Sequence, residues 1–162
     1  MLYLADRMHK LNFGKLMAVY EEGNQENGAQ FFPELSEGQQ LLQAEQNFYQ
    51  YLREGFFTTP GAVYAIWQEK EQYISALRLE PYEDGLLIAA LETAPAFRRQ
   101  GYGEKLICAV QEQFSQRLYS HVRRSNEASM AIHKKCGFVQ TLDYARYIDG
   151  SVDHKAVTLR YR

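Results

Sequence analysis

Cysteine is scarce in this chain, and its two cysteines are not spaced for the chemistry cysteines usually perform. Cys108 and Cys136 form no CxxC pair and show no zinc-ligand spacing, so neither a redox motif nor a bound metal is expected. Free thiols in that arrangement fit a reducing, cytoplasmic setting. Long apolar runs are missing too: no stretch approaches the roughly 20 residues that cross a bilayer, which argues against a membrane partner. The N-terminal MLYLADRMHKL is interrupted by Asp6, Arg7 and Lys10, unlike the unbroken apolar stretch of a secretory signal. An excess of one charge is also absent. The 18 Lys and Arg against 20 Asp and Glu leave a formal net charge of −2, so nothing draws the chain as a whole towards nucleic acid. No repeat, low-complexity tract or Pro/Gly/Ser linker divides the 162 residues, and one domain spanning 1–162 is expected.

What the chain does have is apolar surface. Hydrophobic residues make up 46% and aromatics 14%, enough to offset the entropy of ordering a core. Phe13, Leu16, Met17 and Tyr20 recur at helical spacing and predict an amphipathic helix over roughly Asp6 to Glu21. The polar, Gly- and Asn-containing stretch Glu22 to Phe32 reads as a loop. Ser36-Glu-Gly-Gln39 is a capping-box pattern, and Leu41, Leu42, Phe48, Tyr49 and Leu52 place an apolar stripe on the helix behind it. After Pro60 the period shortens. Ala62 to Trp67 and Tyr73 to Leu79 read as a hairpin, and Pro81 to Gly85 as a turn. Leu86 to Leu91, apolar throughout, reads as a strand covered on both faces. A helix over Gly103 to Arg117, a strand over Leu118 to Val122 and a helix from Ser125 to Cys136 follow, with Gly137 as the left-handed exit. Two strands, Phe138 to Tyr147 and Val152 to Tyr161, close the chain. The resulting order, ααβββαβαββ, predicts an α+β fold with a mixed central sheet.

The chemistry-bearing segment is Leu91-Glu-Thr-Ala-Pro-Ala-Phe-Arg-Arg-Gln-Gly-Tyr-Gly-Glu-Lys-Leu106. A buried strand ends, a proline turn follows and a helix starts. Unpaired amides and the positive end of the helix dipole attract phosphate there. Gly101 and Gly103 let an anion approach the backbone, and Arg98 and Arg99 add charge-assisted donors. Two phosphate motifs fail on named positions. The dinucleotide fingerprint needs a glycine where Leu106 stands, and Gly103-Glu-Lys does not supply the Gly-Lys-Ser/Thr of a P-loop.

Arg98-Arg-Gln-Gly101-Tyr-Gly103 resembles the Gln/Arg-x-x-Gly-x-Gly/Ala pyrophosphate motif of the GNAT superfamily of acyl-CoA-dependent N-acyltransferases. Downstream, Asn126, Gly137 and Phe138 match that family's Asn-x-x-Ala-x-x-x-Tyr-x-x-x-Gly-Phe pattern, while Ser129 and His133 depart from it. The resemblance covers roughly Val63 to Tyr161. It implies a GNAT-like sheet of about six to seven strands flanked by about four helices. It also implies direct transfer of an acetyl group from acetyl-CoA, as co-substrate and without a metal, to a primary amine on a small molecule or peptide. The cofactor-binding positions carried over are Thr93, Ala94, Arg98, Arg99, Gln100, Gly101, Tyr102, Gly103, Glu104 and Asn126, with Thr93 contributing its amide. Lys105 and the run His121-Val-Arg-Arg124 are set against the 3′-phosphate or, alternatively, a solvated loop.

For catalysis, Glu92 is the expected base, against a plain solvent-facing or arginine-paired carboxylate. His133 stands where the family's thiolate-protonating tyrosine does. It is read either as an imidazolium acid or as a helix-surface histidine, with Tyr144 and Tyr147 as substitutes. Asn126 either touches the pantetheine arm or caps its helix. An acidic pocket drawing on Glu21, Glu22, Glu83 and Asp84 would suit a cationic acceptor. The competing readings are another acyl chain, a non-catalytic acetyl-CoA-binding regulatory domain, and, last, a nucleic-acid module. Homodimers are common in the family, and nothing in the sequence decides whether this chain forms one.

Overall fold

A computed structural model describes all residues, Met1 to Arg162. The strands are β1 (Leu2–Ala5), β2 (Val63–Glu69), β3 (Gln72–Tyr82), β4 (Gly85–Thr93), β5 (Arg117–Arg123), β6 (Val139–Leu142), β7 (Ala145–Arg146), β8 (Val152–Asp153) and β9 (Ala156–Tyr161). The helices are α1 (Phe13–Val19), α2 (Glu21–Phe31), α3 (Glu37–Glu54), α4 (Tyr102–Gln113) and α5 (Glu127–Lys135). Seven strands form one mixed sheet in the order β1-β2-β3-β4-β5-β9-β6, with β7 and β8 as a separate ribbon. Only the β4–β5 pair is parallel. Side chains alternate across the sheet, and each face has its own core. On one face Leu77, Leu79, Leu118 and Val122 pack with Leu106, Ile107 and Val110 of α4. On the other, Tyr64, Ile66 and Ala76 pack with Leu16 of α1, Leu52 of α3 and Phe56.

The α+β class, the mixed sheet and the predicted hairpin are all present. The capping box forms as expected: Ser36 Oγ accepts from Gln39 N at 3.4 Å and Gln39 Oε1 from Ser36 N at 3.3 Å. Gly137 takes φ +83°, the left-handed exit of α5. The expected helix over Asp6 to Glu21 is replaced by a 3₁₀ turn at Met8–Lys10 and the short α1, capped by Asn12, whose Oδ1 accepts from Lys15 N, and an unexpected strand, β1, precedes them. The four residues of β1 form a strand because β2 supplies an edge, with Tyr3 opposite Ile66.

The expected loop over Glu22 to Phe32 is helix α2. Its Gly28 is buried, and a Cβ there would lie 2.6 Å from the carbonyl oxygen of Gln40. The glycine that reads as a loop signal is instead where two helices touch. Further corrections are smaller. β3 runs through Pro81 and Tyr82, so the turn tightens to Glu83 and Asp84, and Asn126 rather than Ser125 caps α5, accepting from Ser129 N at 3.0 Å. The last two strands are broken into four. The two cysteines are free, and burial pushes the Cys136 thiol up to about 12. No helix is long and apolar enough to cross a membrane.

Candidate functional site

The site is built on a break in the sheet. Strands β4 and β5 pair only from Gly85–Arg117 to Ile88–Ser120, although each continues beyond that point. On its other side β4 loses register with β3: Ala89 faces Arg78, whereas Glu92 already faces Ala76. Ala90 and Leu91 therefore have a ladder partner in neither neighbour. This is a β-bulge, and Ala90 takes φ +53°, a strained value for a side-chain-bearing residue. The Tyr20 hydroxyl, at the junction of α1 and α2, donates to the Ala90 carbonyl at 2.6 Å and fixes the bulge. A cavity of about 200 Å³ fills the opening, lined by Ile88 to Leu91, by Ser120 to Arg123, and by Asn126, Ser129 and His133.

Two larger cavities meet this opening from opposite faces of the sheet. On the face of α4 and α5, a cleft of about 740 Å³ is lined by Glu22, Glu92, Thr93, Arg98, Arg99, Gly101, Tyr102, Gly103, Glu104, Asn126 and Ser129, among others. On the face of α3, a cleft of about 780 Å³ is lined by Tyr51, Arg78, Glu80, Ala89, Ala90, His121, Arg123, Tyr147 and Asp149, among others. Asn126 and Ser129 belong to both the first cleft and the opening, and Ala89, Ala90, His121 and Arg123 to both the opening and the second cleft. A ligand can thus run from one face of the sheet to the other between β4 and β5.

The first cleft holds a row of free amides of the kind that suits an anion. Successive amides from Arg99 to Glu104 donate to no acceptor of the protein. Arg99 (φ +63°) and Gly101 (φ +81°) turn the backbone into a concave nest before α4 begins. A Cβ at Gly103 would make ordinary contact with Ile132 Cδ1 at 3.6 Å and Thr93 Oγ1 at 3.9 Å, so the start of α4 already lies against β4 and α5. These are the features a pyrophosphate requires, and the residues present fit one. Arg98 acts differently from the expectation. Its Nε donates to Thr93 O at 3.2 Å and its Nη1 to Glu22 at 2.5 Å, with Glu92 at 3.7 Å. The guanidinium closes the turn and balances two carboxylates instead of reaching into the nest. Tyr102 donates to Glu69 at 3.0 Å, while its ring lies 4.7 Å from the Lys105 ammonium. Glu104 pairs with Lys135 of α5 at 2.7 Å.

Most of the sequence-derived cofactor positions come together here, but the side chains of Ala94 and Gln100 do not, although the Gln100 amide belongs to the unpaired row. The Ala94 amide is taken by Ile74 O at 2.8 Å and its side chain lines a groove elsewhere. Gln100 is exposed and its Nε2 donates to Ala96 O at 3.4 Å. Thr93 lines the cleft; it stands opposite Ser75, but Ala94 N bonds to Ile74 O, so the Thr93 N–H points away from β3 to the side where β5 no longer pairs, beyond the bulge at Ala90 and Leu91.

Among the catalytic expectations, Glu92 lines the first cleft, and burial raises its pKa, opposed by the Arg98 charge. His133 is not on a helix surface: it is 1% exposed, edge-on to Phe138 at 5.1 Å. Its Nδ1 donates to Ser129 O at 2.8 Å, and its Nε2 is buried without a partner. Burial lowers its pKa, so the ring is held neutral and does not offer the imidazolium expected of an acid. Tyr144 is not brought to the opening; its ring packs by His154 at 6.0 Å. The acidic acceptor pocket is not formed either. Glu22 is spent on Arg98, Asp84 pairs with Arg117 and Tyr119 at the β3–β4 turn, Glu21 lines the separate groove and Glu83 is exposed.

One residue changes its meaning. His121 belonged to a basic run, but strand alternation separates that run. Val122 enters the core, and Arg124 is held by the carbonyls of Asp143 and His154. His121 points into the opening from the α3 face, clasped edge-on by Tyr82 and Tyr147 at 5.4 and 5.3 Å. Its Nε2 is buried without a partner, and burial lowers its pKa. The signal in the sequence was alternation: Leu118, Ser120 and Val122 are buried, which sends His121 to the opposite face.

The sequence matches the family model described as Acetyltransferase (GNAT) family over residues 5–138. No curated protein sequence matches it. Solved structures share the fold. The PaiA N-acetyltransferase of Thermoplasma acidophilum, in complex with coenzyme A, is 11% identical with a TM-score of 0.59, covering 100% of this chain and 99% of that one. The ribosomal-protein-S18-alanine N-acetyltransferase of Escherichia coli is 20% identical with a TM-score of 0.54, covering 99% and 92%. An acyl-CoA N-acyltransferase of Pseudomonas aeruginosa is 15% identical with a TM-score of 0.58, covering 100% and 99%.

Proposed function

Because the chain belongs to the GNAT acetyltransferase family, we propose that residues 1–162 form one catalytic unit that moves the acetyl group of acetyl-CoA directly to a primary amine. The observation that carries this reading is the row of unpaired amides from Arg99 to Glu104, opening on the gap between β4 and β5. The nest binds the pyrophosphate, and the pantetheine arm runs past Asn126 into the gap. Asn126 already caps α5 through Oδ1, which leaves its Nδ2 for the arm. Acetyl-CoA supplies an activated thioester. The backbone of the bulge at Ala90 and Leu91, outside both ladders, is placed to hold the carbonyl oxygen as charge develops on it.

The acceptor amine arrives from the α3 face and must be neutral to attack. His121 has an unpartnered, neutral ring nitrogen on that side of the gap and is assigned as the base. Glu92, on the cofactor side and beside Arg98, is the second assignment. Thermal unfolding with acetyl-CoA, with ATP and NAD as controls, tests the cofactor. Ligand at 100 times its Kd adds about 2.7 kcal/mol, a Tm rise of roughly 5–11 °C for a chain of this size. An equal rise with ATP, or none with acetyl-CoA, would reduce the nest to a generic phosphate turn. Release of CoA in the presence of amines distinguishes the enzyme from an acetyl-CoA-binding regulatory domain.

A further inference from the structure

Arg78 sits near the middle of β3, opposite Tyr64 on β2 and Ala89 on β4, next to the bulge. It projects to the α3 face and lines the acceptor cleft. A guanidinium taken from water is costly unless something compensates it. Here only rings do. The guanidinium carbon lies 4.9 Å from the Tyr51 ring centroid and 6.0 Å from that of Phe56. Its Nε is buried with no hydrogen-bond partner. Arg78 takes part in none of the chain's ion pairs. Neither carboxylate of the same cleft pairs with Arg78: Glu80 accepts from the Tyr51 hydroxyl at 3.5 Å, and Asp149 accepts from Ser151 N at 2.9 Å and Oγ at 2.6 Å.

We propose that Arg78 selects the acceptor by binding a carboxylate on it, so that the substrate is an amine that also carries a carboxyl group. The proposal rests on the acetyltransferase reading above and narrows its acceptor. The guanidinium fork matches a carboxylate bidentately, and the Tyr51 ring fixes its plane. With the carboxylate on Arg78, the amine of a compact amino-acid-like molecule is directed past Ala89 towards the gap and His121. A cationic acceptor without an anion would leave the Arg78 charge without a partner and would add a second positive charge beside it.

The test uses the whole chain and follows CoA release from acetyl-CoA with L-amino acids, each paired with its own carboxamide, and with simple diamines. The expected result is that at least one amino acid exceeds its carboxamide in kcat/KM by about 30-fold or more, the scale of one desolvated charge pair. Arg78→Gln should bring the two members of that pair to within about threefold, while Arg78→Lys recovers part of the difference. The acetyl-CoA-induced rise in Tm, measured on each variant, shows that the cofactor cleft still folds. Carboxamides or diamines turned over as well as the acids, an equal loss on both members in Arg78→Gln, or no turnover of any acid despite a normal acetyl-CoA shift would each overturn the assignment. Loss of the acetyl-CoA shift in the unmodified protein would overturn the acetyltransferase reading itself.

Discussion

At the scale of single residues, the site is held by a few side chains whose chemistry depends on where the sheet breaks. Two groups compete for the base. His121 has its pKa lowered by burial, so it is neutral through physiological pH and takes a proton only below the ordinary 6.5. Glu92 has its pKa raised by burial and keeps Arg98 as a counter-charge. If His121 is the base, kcat/KM falls on the acid side below pH 6.5. In that case His121→Asn removes this limb and lowers kcat/KM by about 10²–10⁴-fold, while Glu92→Gln keeps the limb. A limb that disappears in Glu92→Gln and survives in His121→Asn would transfer the role to Glu92. Tyr20 acts at one remove. Tyr20→Phe leaves the Ala90 carbonyl without its 2.6 Å donor, and equilibrium unfolding should show a loss of about 1–3 kcal/mol. An unchanged stability would mean that the bulge needs no hydroxyl to hold it.

At the scale of elements, glycine carries opposite meanings within a single helix. In α2, Gly28 touches the backbone of α3, whereas Gly23 has nothing within 4 Å of where a Cβ would stand. Gly23→Ala should stabilise the protein by about 0.5–1 kcal/mol through helix propensity alone. Gly28→Ala gains the same propensity but drives a methyl into the Gln40 carbonyl, and a net loss of about 1–3 kcal/mol is expected. Urea unfolding of both variants decides the matter, and two stabilising substitutions would mean that α2 and α3 are not packed as described. The same contrast explains why the α2 segment reads as a loop. A window of Gly, Asn and Gln resembles a loop because local propensity is weak, yet buried Asn24, whose side-chain amide donates to Met17 Sδ at 3.3 Å, and the Gly28 contact supply from outside what propensity lacks.

At the scale of the whole molecule, the two cores and the gap between their strands set how stability depends on pH. His133 and His121 both have folded-state pKa values below the ordinary 6.5. The unfolded chain therefore binds protons first as pH falls. Their contribution is complete above pH 6.5 and is lost as pH drops from there towards the folded values. Glu92, raised by burial, acts in the opposite sense in a window that opens upward from 4.5. Thermal unfolding should thus give a lower Tm at pH 5.5 than at pH 7.5. His133→Phe, which keeps a ring but no titrating nitrogen, should flatten that difference. An undiminished difference in His133→Phe would place the titration elsewhere.

What the sequence by itself determined was local. The capping box at Ser36, the hairpin after Pro60, the left-handed exit at Gly137 and the glycine turn before α4 depend on contacts within a few residues, and each was readable from residue types at fixed spacing. The anion nest belongs to the same class, because one turn of backbone builds it. Tertiary structure decided whatever depends on a partner distant in the chain. β1 needs the edge of β2, α2 needs α3, and the Thr93 amide faces the gap only because β5 stops pairing with β4 at Ile88. Burial of His133 and the orientation of His121 and Arg78 follow from which face each strand turns to which core. The cleft on the α3 face is the extreme case. Its lining comes from α3, β3, β4, β5 and the β7–β8 turn, segments that share no sequence window and meet only when the sheet closes around the break between β4 and β5.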